Sequence, residues 1–214
     1  MNGFGRIIIV LFLSMAFTFS AFAEPALQGE QHIEYGLPKG TQITHDLSGF
    51  DQHGKKVDFN SLSGENGIVL YFIRSAQWCS YCIRQLDEIS KKGSILEDKG
   101  YNIVVISHDD RAKLKRFTEQ YFFPYPMISD PESEIIRAFG LLNTEYLKGT
   151  AYHGIAYPAL YIIGYDGLIL DKFFDINYKE RLNVREVRLM LDKFGDYESV
   201  LTEEERTAPI EISP

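Results

Sequence analysis

Cysteine is scarce in this 214-residue chain: there are two, Cys79 and Cys82. A framework of several disulfides is thereby excluded, as is lipid attachment at a cysteine near Ala23, where none stands. Long apolar runs are lacking too. The run over residues 7–19 is 13 residues long, short of the roughly 20 that a membrane-spanning helix needs. Metal-ligand spacing is missing: His32, His45, His53, His108 and His153 contain no His-x-x-x-His pair, and zinc asks for about four ligands. Basic residues are outnumbered 22 to 30, giving a net charge of −8, a surface poorly matched to nucleic acid.

What is present begins with an address. Arg6, the apolar run and the small residues of Ala21-Phe22-Ala23 have the order of a secretory signal peptide. Cleavage after Ala23 is expected, with a periplasmic or secreted location and no stable membrane insertion afterwards. The remaining chain would hold 21 basic and 30 acidic residues, net −9. Residues 24–45 show no sustained period and mix Gly with Pro, a meandering lead-in. One domain is expected over 46–194, since 45% apolar and 24% charged composition is that of an ordinary globular chain with a single core. The acidic stretch 195–214 reads as a frayed tail.

Within the domain, the segment around Gly54 suggests a β-hairpin. Ile68 to Ile73 is an unbroken apolar run, the pattern of a strand buried on both faces. A helix should follow from about Cys79, because Ile83, Leu86 and Ile89 recur at helical spacing. Tyr101 to Asp109 reads as a second buried strand, and the next segment as a charged amphipathic helix with Leu114, Phe117 and Tyr121 inward. A short strand, PMIS, leads to Asp130-Pro131, which pairs an N-cap residue with a first-turn proline. The helix it predicts carries Ile135, Ile136, Phe139 and Leu142. A closing hairpin turns at Asp166-Gly167, and Asn183 caps a last helix with Val184, Val187, Leu191 and Phe194 on one face. Strands alternating with helices imply crossovers and a mostly parallel sheet, with the closing hairpin as an antiparallel edge.

Cys-x-x-Cys directly after a buried strand, its first cysteine opening a helix, is the expected position of a redox dithiol. Unpaired amides and the helix dipole at that end favour negative charge, so the thiolate of Cys79 is stabilised. Lowering a thiol pKa from about 8.5 to about 7 takes roughly 2 kcal/mol and raises the thiolate fraction at neutral pH from about 3% to about 50%. Cys82, one turn further in, gains less. The asymmetry assigns Cys79 the attack on a partner disulfide and Cys82 the resolution of the mixed disulfide. A bridge meant for stability would close a longer loop than this four-residue one.

Trp78-Cys79-Ser80-Tyr81-Cys82 at a helix start, followed later by a Tyr157-Pro158 step opening a strand, makes residues 46–194 resemble the thioredoxin superfamily. DQHGKKVDFNSL, VVISHD and ISDPESEIIRAFGLLN are similar to its redoxin branch, which holds alkyl hydroperoxide reductase/thiol-specific antioxidant proteins and periplasmic thiol–disulfide oxidoreductases. The resemblance implies an α/β thioredoxin-like fold, a mixed central sheet flanked by helices with an N-terminal β-hairpin. It also implies catalysis by Cys79 and Cys82, substrate docking at Trp78, Tyr157 and Pro158, and a cis Tyr157–Pro158 bond beside Cys79. No cofactor and no metal are part of this reading; its partners are protein or small-molecule thiols and disulfides, peroxides as an alternative, and a redox partner protein.

Two departures from the branch matter. Peroxiredoxins surround their reactive cysteine with Pro-x-x-x-Thr-x-x-Cys and an arginine on a later strand; here those positions hold Phe72, Ala76 and Pro158. Arg74 and Ser75 are the nearby candidates to substitute. Related periplasmic reductases often carry a Glu three residues after the second cysteine, where Gln85 stands, which leaves Glu88, water or His153 as proton acceptors for Cys82. His108 reads as a strand-end residue near the site. Three readings result: a thiol–disulfide oxidoreductase, a thiol peroxidase with Cys79 peroxidatic and Cys82 resolving, and a Sco-like copper module with Cys79, Cys82 and His153 as ligands.

Overall fold

The computed structural model describes residues 35–194. The expected signal peptide over 1–23, the first part of the lead-in and the tail over 195–214 lie outside the described residues.

A hairpin opens the domain: β1 (Gly49–Asp51) and β2 (Lys56–Val57) pair antiparallel across a turn at Gly54, whose φ of 83° suits glycine. Asp58 caps a one-turn helix, α1 (Phe59–Leu62). Then come β3 (Gly67–Phe72), α2 (Ser80–Lys92), α3 (Ser94–Glu97) and β4 (Tyr101–Ser107). The chain continues through α4 (Arg111–Tyr121), β5 (Met127–Ser129), α5 (Glu134–Ala138), β6 (Ala159–Gly164), β7 (Ile169–Phe174) and α6 (Val184–Leu191). The strands form a seven-stranded sheet in the order β2-β1-β5-β4-β3-β6-β7.

The two-residue period of the strands divides the core between the two faces. Val69, Tyr71, Ile103 and Val105 point to one face, where Leu86 and Ile89 of α2, Leu114 and Phe117 of α4, and Val184, Val187 and Leu191 of α6 cover them. Ile68, Leu70, Phe72, Val104 and Ile106 point to the other, against Phe59 and Leu62 of α1, Ile135 and Ile136 of α5, and Phe139. β3 lies inside the sheet between β4 and β6 and is buried on both faces, as its unbroken apolar run requires. Among the described residues, no helix is long and apolar enough to cross a membrane.

The structure corrects four expectations. Only β3–β4 and β4–β5 pair in parallel. A parallel neighbour needs a long crossover, and the segment after the five-residue α5 instead bridges Leu142 to Ala156, so β6 lies antiparallel to β3. Second, α5 starts at Glu134 and not after Asp130: Ser133 N–H closes a turn onto the Asp130 carbonyl at 2.9 Å, with Ser133 itself left-handed at φ 55°. Asp130 still caps the helix from below, its carboxylate accepting from the Glu134 and Ile136 amides at 2.8 and 2.9 Å; α5 ends at Ala138, before Leu142. Third, Tyr121 is 38% exposed, stacking on Phe117 at the last turn of α4, where left-handed Phe122 turns the chain away. Fourth, the packed body begins before Asp46: Ile43 is buried, and Leu37, Gly40 and Ile43 donate amide hydrogen bonds to Phe139, Ile169 and Gly167.

Candidate active site

Cys79 and Cys82 sit where β3 hands the chain to α2, at the carboxyl end of the parallel strands. The loop between them is fastened from β4. Asp109, just past that strand and buried, accepts from the Ala76 amide at 2.7 Å, the Ser75 hydroxyl at 3.0 Å and the Ser107 hydroxyl at 2.9 Å. Ser75 Oγ in turn accepts from the Gln77 amide at 2.9 Å and the Trp78 amide at 3.4 Å. A buried carboxylate with three donors is satisfied and rigid, so the loop leading into Trp78-Cys79 is held in place.

Cys79 is the N-cap of α2 with extended backbone, φ −85° and ψ 97°, and its Sγ accepts from the Cys82 amide at 3.2 Å. The two sulfurs are joined in a disulfide with Cα atoms 5.2 Å apart. The first turn of α2 carries no acidic side chain and the last turn holds Lys91 and Lys92, so nothing at this end opposes the positive pole of the dipole. When the bridge is reduced, the same amide and dipole face a thiolate at Cys79. Burial separates the pair: Cys79 is 4% exposed and lines a pocket, whereas Cys82 is 0% exposed and does not.

The pocket, open and about 250 Å³ in volume, is lined by Cys79 and Ser80 and by the aromatic side chains of Trp78, Tyr81, Tyr152 and Tyr178. Arg74 closes one side. Its residue is 8% exposed, its guanidinium lies over the Tyr178 ring at 4.2 Å and the Trp78 ring at 5.2 Å, and one terminal nitrogen donates to the Tyr146 hydroxyl at 3.3 Å. The loop bearing Tyr146 and Tyr152 is anchored where Ser133 donates to the Gly154 carbonyl at 2.7 Å; Gly154 has φ +91°, and a side chain there would strike that hydroxyl at 2.9 Å.

Of the residues singled out in the sequence, Cys79, Cys82, Trp78 and Arg74 come together here. Tyr157 is buried, with its ring 5.0 Å from Tyr35 and 6.1 Å from Phe174, and burial raises its hydroxyl pKa; neither it nor Pro158 lines the pocket. The Tyr157–Pro158 bond is trans, contrary to the resemblance, as are all peptide bonds among the described residues. The chain approaches β6 without reversing: the Tyr157 amide donates to the Leu141 carbonyl at 2.7 Å, and Ala159 already pairs with Phe72. Such an extended path suits a residue before proline and leaves the ordinary trans preference of about 0.5–1 kcal/mol unopposed.

The proton-acceptor candidates are placed apart. Glu88 is paired with Lys92 at 3.0 Å. His153 is exposed, its Nδ1 3.2 Å from the Tyr146 carbonyl. No group of three His, Cys, Asp or Glu side chains arranged to hold a metal ion occurs among the described residues. His108 lies beneath the loop, hydrogen-bonded to the Arg74 backbone; burial lowers its pKa, against the raising charges of Asp109 and Asp130.

Sequence reading missed Asp109 and the aromatic walls Tyr152 and Tyr178. VVISHD marks a strand ending in polar residues, a signal for Asp109; Tyr178 stands about 100 residues from Arg74, and no local pattern links them.

Set beside known proteins, the chain is 25% identical over 178 residues to the thiol–disulfide oxidoreductase ResA of Bacillus cereus, covering 83% of this chain and 90% of that one. It is 27% identical over 125 residues to the peroxiredoxin Bcp of Escherichia coli, covering 58% and 78%. Among solved structures, a peroxiredoxin 6 of Arenicola marina superposes with a TM-score of 0.64 at 18% identity, over 73% of each chain. The peroxidoxin BcpB of Mycobacterium tuberculosis superposes with 0.61 at 19% identity, over 75% of this chain and 97% of that one. These likenesses show the thioredoxin-like fold. The AhpC/TSA family matches residues 40–172, and the chain belongs to that family.

Proposed function

We propose that this protein is a thiol–disulfide oxidoreductase that cycles Cys79 and Cys82 between dithiol and disulfide. One observation carries the reading: the joined sulfurs are unequal, with Cys79 on the pocket wall at the head of α2 and Cys82 sealed one turn inside. The relationship to ResA, named a thiol–disulfide oxidoreductase, supports it.

In the reducing direction the Cys79 thiolate attacks one sulfur of a substrate disulfide. That S–S bond breaks, one half leaves as a thiolate that takes a proton from solvent, and the other half stays in a mixed disulfide with Cys79. Cys82 loses its proton and attacks Cys79 Sγ, releasing the second half as a thiolate. The substrate gains two electrons and two protons, and the Cys79–Cys82 bridge forms. A dithiol partner protein restores the pair by the same exchange, and the sequence run backwards oxidises a substrate dithiol. Substrates are protein or small-molecule thiols and disulfides. Insulin reduction tests the reading: Cys79→Ser is expected to abolish turnover and Cys82→Ser to accumulate the mixed disulfide, and wild-type turnover by Cys79→Ser would overturn it.

A peroxide substrate is the second reading, favoured by the Arg74 guanidinium beside Cys79. Against it, Ser75 is engaged with Asp109 and two amides, and Ala76 has no hydroxyl to orient a peroxide. Stopped-flow oxidation of the reduced protein by peroxide is expected to be no faster than that of free cysteine. The reading extends to a cell-envelope location on the strength of residues 1–23; mass spectrometry of the envelope fraction should find a mature chain beginning at Glu24, and finding Met1 would remove the claim of cleavage.

A further inference from the structure

The charged side chain lining the pocket beside Cys79 is Arg74, and the hollow that adjoins it at Tyr81 is lined by Arg84, Lys179 and Arg181 together with Glu88. Arg84 lies over the Tyr81 ring at 4.6 Å, Lys179 over the Tyr178 ring at 5.9 Å, and Arg74 is stacked on Trp78 and Tyr178. Tyr81 and Tyr178 touch edge to face at 5.7 Å, and Tyr81 also borders a second hollow lined by Arg84, Gln85 and Arg181. Arg181 therefore lines the adjoining hollow, close enough for the Arg74 charge to help lower its pKa to about 10, after desolvation as the larger cause.

Both guanidiniums hold buried nitrogens with no hydrogen-bond partner among the described residues: Nε of Arg74, and Nε and Nη2 of Arg181. Leaving charged donors buried and unpaired is costly. The nearby carboxylates do not answer them: Glu88 is taken by Lys92, and Asp175 and Glu180 reach Arg181 through their charge without an ion pair among the described residues. Arg74 has its Cζ over two rings and lines the pocket, and a guanidinium there offers the planar fork of donors that grips a carboxylate.

We propose that Arg74 receives a carboxylate that lies next to the scissile disulfide, with the Arg181 charge reinforcing it from the adjoining hollow, selecting acidic substrates for Cys79. The inference rests on the oxidoreductase reading above and names its substrate class; the exchange step is unchanged. The carboxylate could belong to a small disulfide or to an acidic residue flanking a cystine in a peptide, so the test has an arm for each.

Reduced wild-type protein is mixed with dithiodipropionate, with neutral hydroxyethyl disulfide and with cationic cystamine, and Cys79–Cys82 bridge formation is followed by stopped flow. The peptide arm compares one cystine peptide flanked by Glu with the same peptide flanked by Gln. Expected is a rate for the anionic small disulfide about tenfold or more above the neutral one, the size of one charge-assisted hydrogen bond, with cystamine slowest; a preference in the peptide arm instead assigns the carboxylate to peptide substrates. Arg74→Gln is expected to bring the anionic-to-neutral ratio close to one, Arg181→Gln to lower it, and Arg74→Lys to leave it intermediate. The ratio cancels any change in thiolate reactivity, and Arg181→Gln decides alone if Arg74→Gln does not fold. Equal rates for acidic and neutral substrates in both arms, or a ratio untouched in Arg181→Gln, would overturn this inference alone. Reaction with none of the disulfides would overturn the oxidoreductase reading and the inference with it.

Discussion

Two helices of this protein open in the same way with different atoms. At the head of α4, the Asp110 carboxylate accepts from the Lys113 amide at 2.9 Å; at the head of α2, Cys79 Sγ accepts from the Cys82 amide at 3.2 Å. Both caps have extended backbone and neither first turn is acidic. The Asp110 carboxyl titrates below its ordinary range, with the Lys113 amide as the first cause. That helix end thus shows, within the same molecule, what a helix start does to an anion. On α4 the anion is permanent and serves stability. On α2 it exists only when the bridge is open and the thiol has ionised, so the same local physics serves reactivity.

The sharpest break between the two caps is functional. Cys79→Ser keeps a capping side chain yet should lose disulfide exchange entirely, while Asp110→Ser should turn over insulin at the wild-type rate. A loss of activity in both would mean that helix capping, and not the sulfur, is what the assay reads.

Between the caps lies Asp109, which fastens the loop to Cys79. Asp109→Ala strands the Ser75 and Ser107 hydroxyls and the Ala76 amide. A cost of about 2–4 kcal/mol is expected in urea unfolding, well above that of removing either cap.

His108 probes the same segment through pH. Its folded pKa is lowered, chiefly by burial, with Lys113 lowering and Asp109 and Asp130 raising it. Below the unfolded value of about 6.5 the unfolded chain binds the proton first, so native stability declines as pH falls through that value, by at most about 1.4 kcal/mol per pH unit. Denaturant titrations of His108→Gln from pH 7.5 to 5.5 should lack that slope.

The smallest effect belongs to the ordinary cap. Asp110→Ala should lose about 1 kcal/mol at neutral pH. Because the folded carboxyl titrates below the unfolded value of about 3.9, the contribution is complete above that pH and is lost as the pH falls further, so wild type and variant should converge in acid.

These local devices were legible in the sequence to different degrees. Cys79 at a helix start, the strands Gly67–Phe72 and Tyr101–Ser107, and the Asn183 cap could be read because each depends on neighbours within a few residues. Asp130 reads as a cap from its place before Pro131, but its reach to Glu134 and Ile136 depends on the left-handed Ser133, which no propensity rule assigns to a serine. The trans Tyr157–Pro158 bond follows from how Leu141 and Phe72 receive the incoming strand. Arg74 could be noticed beside the cysteines, yet its stacking partner Tyr178 and its companion Arg181 arrive only through the sheet order that brings the segment after β7 alongside α2. Pairings of that kind are written in topology and leave no local trace.

The claim that the α2 amino terminus makes Cys79 the reactive sulfur is tested most directly by titrating thiolate absorbance at 240 nm in reduced Cys82→Ser protein, where the signal belongs to Cys79 alone. Ionisation centred well below the ordinary thiol value of about 8.5 is expected; a midpoint at or above it would contradict the account.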